Sequence, residues 1–231
     1  MEGGFGPKIV FEIAGIPITE TVTNTWIIMA LLILFSFVAT RKFEYMPRGL
    51  QNFVELLVDG IYKLTAQTMG KDKIGFAPYI GTLLIYLVCA NLAGLFALRP
   101  PTADVNTTMG LALITFFMIH FFGMKKKGVG KYLKGFLDPI PIMLPMNIIS
   151  ELATPISLSF RLFGNIVGGL IIMSLLYGGL AGLGAKIGLS MPIFQAAIPV
   201  PLHLYFDVFA GVLQSFIFSM LTMVFVSMAM D

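Results

Sequence analysis

From Pro139 to Ala185, and again from Ile187 to Met230, the chain runs for more than 40 residues with only Glu151, Arg161, Lys186 at the junction and Asp207 carrying charge. As helix, at about 1.5 Å per residue, each run would be roughly 60 Å long, twice the hydrocarbon thickness of a bilayer. Such segments must tilt steeply or bend. Pro139, Pro141, Pro145 and Pro155 in the first and Pro192, Pro199 and Pro201 in the second supply places to bend, and packing on a protein partner could hold a tilt that lipid alone would not. The alternative is two short spans in each run. No hydrophilic turn divides either one, so the long-helix reading leads.

Three shorter uncharged runs precede them. Thr21 to Thr40, with Trp26 as an interfacial anchor, Ile74 to Leu98, and Val105 to Met124 are each long enough to cross a bilayer. At 57% hydrophobic and 12% charged, with a mean hydropathy of +0.90, the chain has roughly half the charge of a soluble domain. The fold class expected is therefore an all-α membrane protein of about five transmembrane helices, the last two long and tilted. After Pro47, the residues Leu50, Phe53, Val54, Leu57, Ile61 and Leu64 recur at helical spacing opposite Arg48, Gln51, Glu55, Asp59 and Lys63. That pattern predicts an interfacial amphipathic helix rather than a span, with an ordinary loop helix as the alternative.

Residues 1–20, rich in Gly and Pro, suit a short external arm or amphipathic turn; 21–138 would hold the three peripheral spans, and 139–231 the long antiparallel pair. The start of the chain lacks the basic n-region of a secretory signal, so the first apolar run is read as a mature helix. The segment Arg41–Lys73 holds six basic residues and Lys125–Lys134 five, against one each in 99–104 and 181–192. The positive-inside rule then puts both basic loops in the cytoplasm, the N-terminus outside and Asp231 inside. A net charge of +3 gives no argument for nucleic acid, and the lone Cys89 allows no intrachain disulfide. No phosphate loop, zinc-spaced Cys/His set or nucleophile motif appears, so no cofactor and no soluble-enzyme chemistry is expected. His120 reads as a satisfied packing histidine rather than a ligand.

The expensive group is Arg161. Nine uncharged residues separate it from Glu151 and 24 from Lys186. An arginine at a helix centre costs roughly 2.5–3.5 kcal/mol or more on insertion scales, so the default reading is a functional group facing protein or water. The alternative, snorkelling or structural pairing, needs an interface within side-chain reach. Helical spacing puts Glu151, Thr154, Leu158, Arg161, Asn165 and Gly168 on one face, and His203, Asp207, Gly211, Gln214 and Phe218 on another. Glu151 lies about 15 Å to the cytoplasmic side of Arg161, and Asp207 about 10 Å to the outer side of Gln214. A fixed cation at mid-depth opposes a through-pore for cations. The same layout suits two water-filled half-paths that end near the arginine, with a mobile carboxylate on another subunit carrying the ion between them. Ser157, Ser159, Gly164, Gly168 and Gly169 would let a neighbouring helix come close. The alternative is that both acids only satisfy Arg161 or each other.

The segment Pro155–Asn165, reading PISLSFRLFGN, resembles the signature of subunit a of F-type ATP synthases. Leu213–Thr222 is similar to that family's final helix, and Ala103–Asn106 to its outer-loop motif; the likeness covers essentially the whole chain. The resemblance implies that Arg161 faces a ring of c-subunits, favouring the deprotonated ring carboxylate and blocking a leak, with Asn165 and Gln214 lining that contact. It implies Asp207, with His203, in the outer half-channel, Glu151 near the inner one, and Asp104 and Asn106 near the outer mouth. It also implies partnership with peripheral-stalk b subunits and the rest of the synthase, within the lipid bilayer of a cell (inner) membrane. Many members carry an acid or histidine five residues after the asparagine, where this chain has Leu170. H⁺ is favoured as the coupling ion, with Na⁺ as the alternative. A stand-alone secondary transporter and a passive scaffold are the readings from other classes; five crossings without an internal repeat speak against the former.

Overall fold

The computed structural model describes residues 8–13, 15–41, 44, 49–96, 98–137, 140–187 and 198–231. Pro47, Arg48, Asp138, Pro139 and Pro192 lie outside the described residues. Within them, five helices are long and apolar enough to cross a membrane. In chain order the helices are α1 (Glu20–Thr40), α2 (Leu50–Met69), α3 (Ala77–Leu92), α4 (Val105–Lys127), the short α5 (Val129–Gly135), α6 (Leu144–Ile187) and α7 (Pro199–Met230). Tighter 3₁₀ turns at Lys71–Phe76 and Ala93–Phe96 flank α3.

The N-terminal arm, expected as a short external arm or amphipathic turn, holds a β-hairpin. β1 (Ile9–Ile13) and β2 (Ile16–Thr19) pair antiparallel, Glu12 opposite Pro17, and Gly15 at φ 80° supplies the turn that an L side chain would strain. The hairpin feeds directly into α1 through a bond from the Glu20 backbone N–H to the Lys8 carbonyl, 2.8 Å. Helix α2 forms where the apolar periodicity puts it. Only its second half docks, with Ile61 and Met69 buried, while Leu50 and Phe53 stay exposed. Gly81 of α3 allows this: a Cβ there would come within 3.2 Å of Ile61.

The core lies between α3, α4, α6 and α7. Leu83, Leu87, Ala112, Leu158, Leu162 and Phe218 form one cluster, and Met69, Ile80, Ile119, Met223 and Val226 a second one toward the basic loops. Apolar burial does not drive helices together in lipid, so small residues and interhelical hydrogen bonds carry more of the specificity. The chain supplies them. Asn91 of α3 donates to the Gly211 carbonyl and to Ser215 Oγ, both at 2.9 Å, and its Oδ1 accepts from Thr102 at 2.6 Å. Thr108 pairs with Ser159 at 3.0 Å and Thr115 with Thr222 at 3.2 Å. His120 is a packing histidine as expected, its Nδ1 2.8 Å from the Tyr132 hydroxyl and its ring edge-on to Phe116.

Helix α6 runs unbroken for 44 residues with Pro155 inside it, as the missing hydrophilic turn predicts. α7 spans 32 residues from Pro199; the stretch from 188 to 197 lies outside the described residues. α7 is not uniform, because Leu204–Ala210 is π-helical. A π turn takes up an extra residue and so rotates the remainder of the helix by roughly 100° relative to an ideal α-helix.

Candidate functional site

α6 and α7 run antiparallel, and the contacts give their levels. Gly169 sits against Phe206, where a Cβ would meet that side chain at 3.4 Å. Leu162 and Phe218 share the core cluster one step along, and Arg161 and Phe225 line one recess beyond that. Asp207 therefore stands at one end of the pair, Arg161 in the middle, and Glu151 near the other end.

The face that α6 turns into the bundle is Leu158, Ser159, Leu162, Ile166 and Met173, all buried. Leu158, which spacing assigns to the polar stripe, is turned inward at 3% exposure. The opposite face carries Ser157, Arg161, Gly164, Asn165 and Gly168. Arg161 is exposed and, among the described residues, makes no hydrogen bond or ion pair. Gly164 and Gly168 have nothing within 4 Å of where a Cβ would stand. Of the small residues, Ser159 and Gly169 are used inside the chain; Ser157, Gly164 and Gly168 leave an open, low-relief surface around the guanidinium. On α7 the π turn separates Asp207 from the rest of its stripe. Gly211 faces Asn91, with a would-be Cβ at 3.1 Å, and Phe218 is buried, so both belong to the core. Gln214 remains half-buried at the edge of that face and, like Asn165, has no hydrogen-bond partner among the described residues.

At one end of the pair, Asp207 Oδ2 lies 2.5 Å from His203 Nδ1, and His203 Nε2 lies 3.0 Å from the Tyr177 hydroxyl. Acid, imidazole and phenol form one chain from α7 to α6. Spacing in the sequence does not single out Tyr177. The signal that could find it is its place on α6 beyond Arg161, opposite the start of an antiparallel α7. π turns recur at functional sites because they re-aim side chains that a regular helix would point elsewhere, and this one encloses Asp207.

At the other end, Glu151 lines a recess of about 530 Å³ with Lys127, Lys131, Tyr132, Asn147 and Thr154. A second recess of about 200 Å³ shares Ser150, Thr154 and Phe225 with the first and ends at Arg161. The two lie next to each other between the basic loop and the arginine. Burial, and after it the Glu151 charge, pushes the Tyr132 phenol up from its ordinary value. Pro155 has no N–H, so the Glu151 carbonyl loses its helical donor.

Asp104 and Asn106 take a different place. Asp104 is the N-cap of α4: Oδ1 accepts the Asn106 N–H at 2.9 Å, and Oδ2 accepts from Thr21 at 2.8 Å. At 8% exposure it ties α1 to α4, and no contact joins it to Asp207 among the described residues. Asn106 is exposed. No group of three or more His, Cys, Asp or Glu among the described residues is arranged to hold a metal ion.

The model of the family described as ATP synthase A chain matches residues 22–227. A protein of Propionigenium modestum named ATP synthase subunit a, sodium ion specific, is 37% identical over 96% of this chain and 78% of its own length. ATP synthase subunit a of Moorella thermoacetica is 36% identical over 96% of this chain and 95% of its own. ATP synthase subunit a 2 of a Bradyrhizobium strain is 38% identical over 96% and 93%.

Proposed function

The chain belongs to the ATP synthase A chain family, a multi-pass membrane subunit of the synthase complex, and from that premise we propose that it is the ion-conducting stator on which a ring of c-subunits turns. Arg161 meets each ring carboxylate in its deprotonated form as it passes, and Asn165 and Gln214 line the contact. The observation that carries this reading is an exposed guanidinium, without a partner among the described residues, on a face of small residues between the Glu151 recess toward one end of the helix pair and the Asp207–His203–Tyr177 chain toward the other. A buried-pair role would have given Arg161 an acid within the chain. A charge without a partner in an apolar setting is costly, so its partner comes from outside.

Ions enter from the outer side by Asp207, His203 and Tyr177 and leave past Glu151 to the cytoplasm, where the basic loops lie. The ring bridges the two half-paths, because a fixed cation closes the direct route. The chain performs no bond chemistry itself; the b subunits of the peripheral stalk would hold it against rotation. The coupling ion is H⁺, since a carboxylate–imidazole–phenol chain relays protons by donor–acceptor exchange. The sodium-specific relative supplies the second reading. ATP-driven uptake by vesicles containing the assembled complex tests both: Arg161→Ala should abolish pumping, and pumping unchanged by Na⁺ should identify H⁺. Normal pumping by Arg161→Ala would overturn the stator reading, and strict dependence on Na⁺ would move the coupling ion.

A further inference from the structure

Leu170 occupies the position where the family resemblance implies an acid or histidine, and the space in front of it is not empty of carboxylate. A recess of about 390 Å³ is lined by Leu170 and Val167 of α6, Gly94 and Arg99 beyond α3, and Lys8 and Glu20 at the foot of the hairpin. It has room for several waters and enough polar groups to hold them. Its wall at Gly94 is thin: a Cβ there would stand 3.9 Å from the Asp207 carboxyl carbon and from its Oδ1. The same point would lie 3.7 Å from Pro100 Cγ, so Gly94 packs directly between the Pro100 ring and the Asp207 carboxylate. Glu20 is half-buried, and its carboxylate makes no hydrogen bond or ion pair among the described residues.

We propose that this recess is the mouth of the outer half-path, with Glu20 taking the part of the acid absent at Leu170 and Gly94 forming the window through which protons reach Asp207. The inference rests on the stator reading above and adds to it where the path opens. The hairpin holds Glu20 in place through the bond from its backbone N–H to the Lys8 carbonyl. The charged and titratable groups around Glu20 are Lys8 and Arg99 in the recess, then Asp207, His203 and Tyr177 behind the window. A proton can pass along water and carboxylate without a carrier ion. Asp104, fully engaged as a helix cap, does not share this space.

The test uses the assembled complex in vesicles of both orientations. Gly94→Leu fills the window and should cut flux on the order of tenfold, as apolar constrictions do in channels. Glu20→Gln should lower flux several-fold and flatten its dependence on outer pH, and Glu20→Asp should restore most of it. Because Gly94→Leu could fail to assemble, a second measurement stands apart from flux: in a Cys89→Ser background, Leu170→Cys should react with an impermeant thiol reagent added from the N-terminal side only. Wild-type flux in both Gly94→Leu and Glu20→Gln, or reaction of Leu170→Cys from the opposite side or from neither, would overturn the proposal. Arg161→Ala run in parallel separates the layers. Normal pumping there sinks the stator reading itself, whereas loss of pumping there beside unaffected Gly94 and Glu20 variants sinks only this mouth.

Discussion

The two sides of α6 treat polar groups in opposite ways. Toward the bundle each is bonded within the chain: Ser159 to Thr108, and across the neighbouring helices Asn91 to Ser215 and Thr115 to Thr222. Away from the bundle, Arg161, Asn165 and Gln214 find no partner among the described residues. A side chain that is satisfied at home stabilises the scaffold; one that is not marks a place kept for another molecule. The lesson is that a charge in a membrane segment is informative chiefly through what fails to meet it.

That contrast can be broken by mutation. The largest effect is expected at Arg161: Arg161→Ala should take ATP-driven pumping to background without lowering the amount of chain in the membrane, measured by acidification and by immunoblot of the same vesicles. If chain levels fell in step with pumping, Arg161 would belong to the scaffold side. Asn91→Leu should do the reverse. It strands the buried Thr102 hydroxyl, which loses its acceptor, at a cost of about 1–3 kcal/mol, so thermal unfolding of the purified complex should begin at a lower temperature while pumping per assembled complex is retained. Asn165→Leu or Gln214→Leu should sharpen the comparison by reducing pumping with no loss of thermal stability. A double-mutant cycle of Thr115→Val and Thr222→Val should return a coupling of about 0.6 kcal/mol, the scale of interhelical hydrogen bonds in membranes.

The smallest effect lies at the end of α7. Lys73 is buried and bonds Ser227 Oγ at 3.0 Å and the Asp231 carboxylate, and that second hydrogen bond holds Asp231 below its ordinary value of 3.8. A carboxyl with a lowered folded-state pKa contributes stability above its unfolded value and loses it as pH falls through the folded one. Lys73→Met should therefore be less stable than the parent near neutrality, and the gap should begin to narrow as pH falls below about 4 and close further down. Asp231 is largely exposed, so the gap will be small. Unfolding scans at about pH 7 and about pH 2, above and below the carboxyl range, would show it.

Much of this is legible from spacing alone. Uncharged runs of bilayer length place the five spans, and the lack of any polar turn keeps α6 whole. The isolation of Arg161 between Glu151 and Lys186 singles it out without coordinates. Spacing does not carry local departures from ideal geometry. A seven-residue π turn at Leu204–Ala210 breaks the phase that would put Asp207, Gly211 and Gln214 on one stripe, and no feature of that apolar sequence announces it. Leu158 looks polar-faced because a helical stripe has width, and packing decides its edges. The Tyr177–His203–Asp207 chain needs the pairing of two helices, and the Glu20 recess needs a hairpin that a Gly- and Pro-rich arm does not advertise.

The most direct measurement is a disulfide cross-link in the assembled complex. With Cys89→Ser as background, Asn165→Cys should bond efficiently to a cysteine placed one turn from the ring carboxylate, and label poorly with a lipid-phase thiol reagent. Strong lipid-phase labelling with no cross-link would mean that Arg161 looks out into the bilayer, and the unsatisfied face would then have no carboxylate to meet.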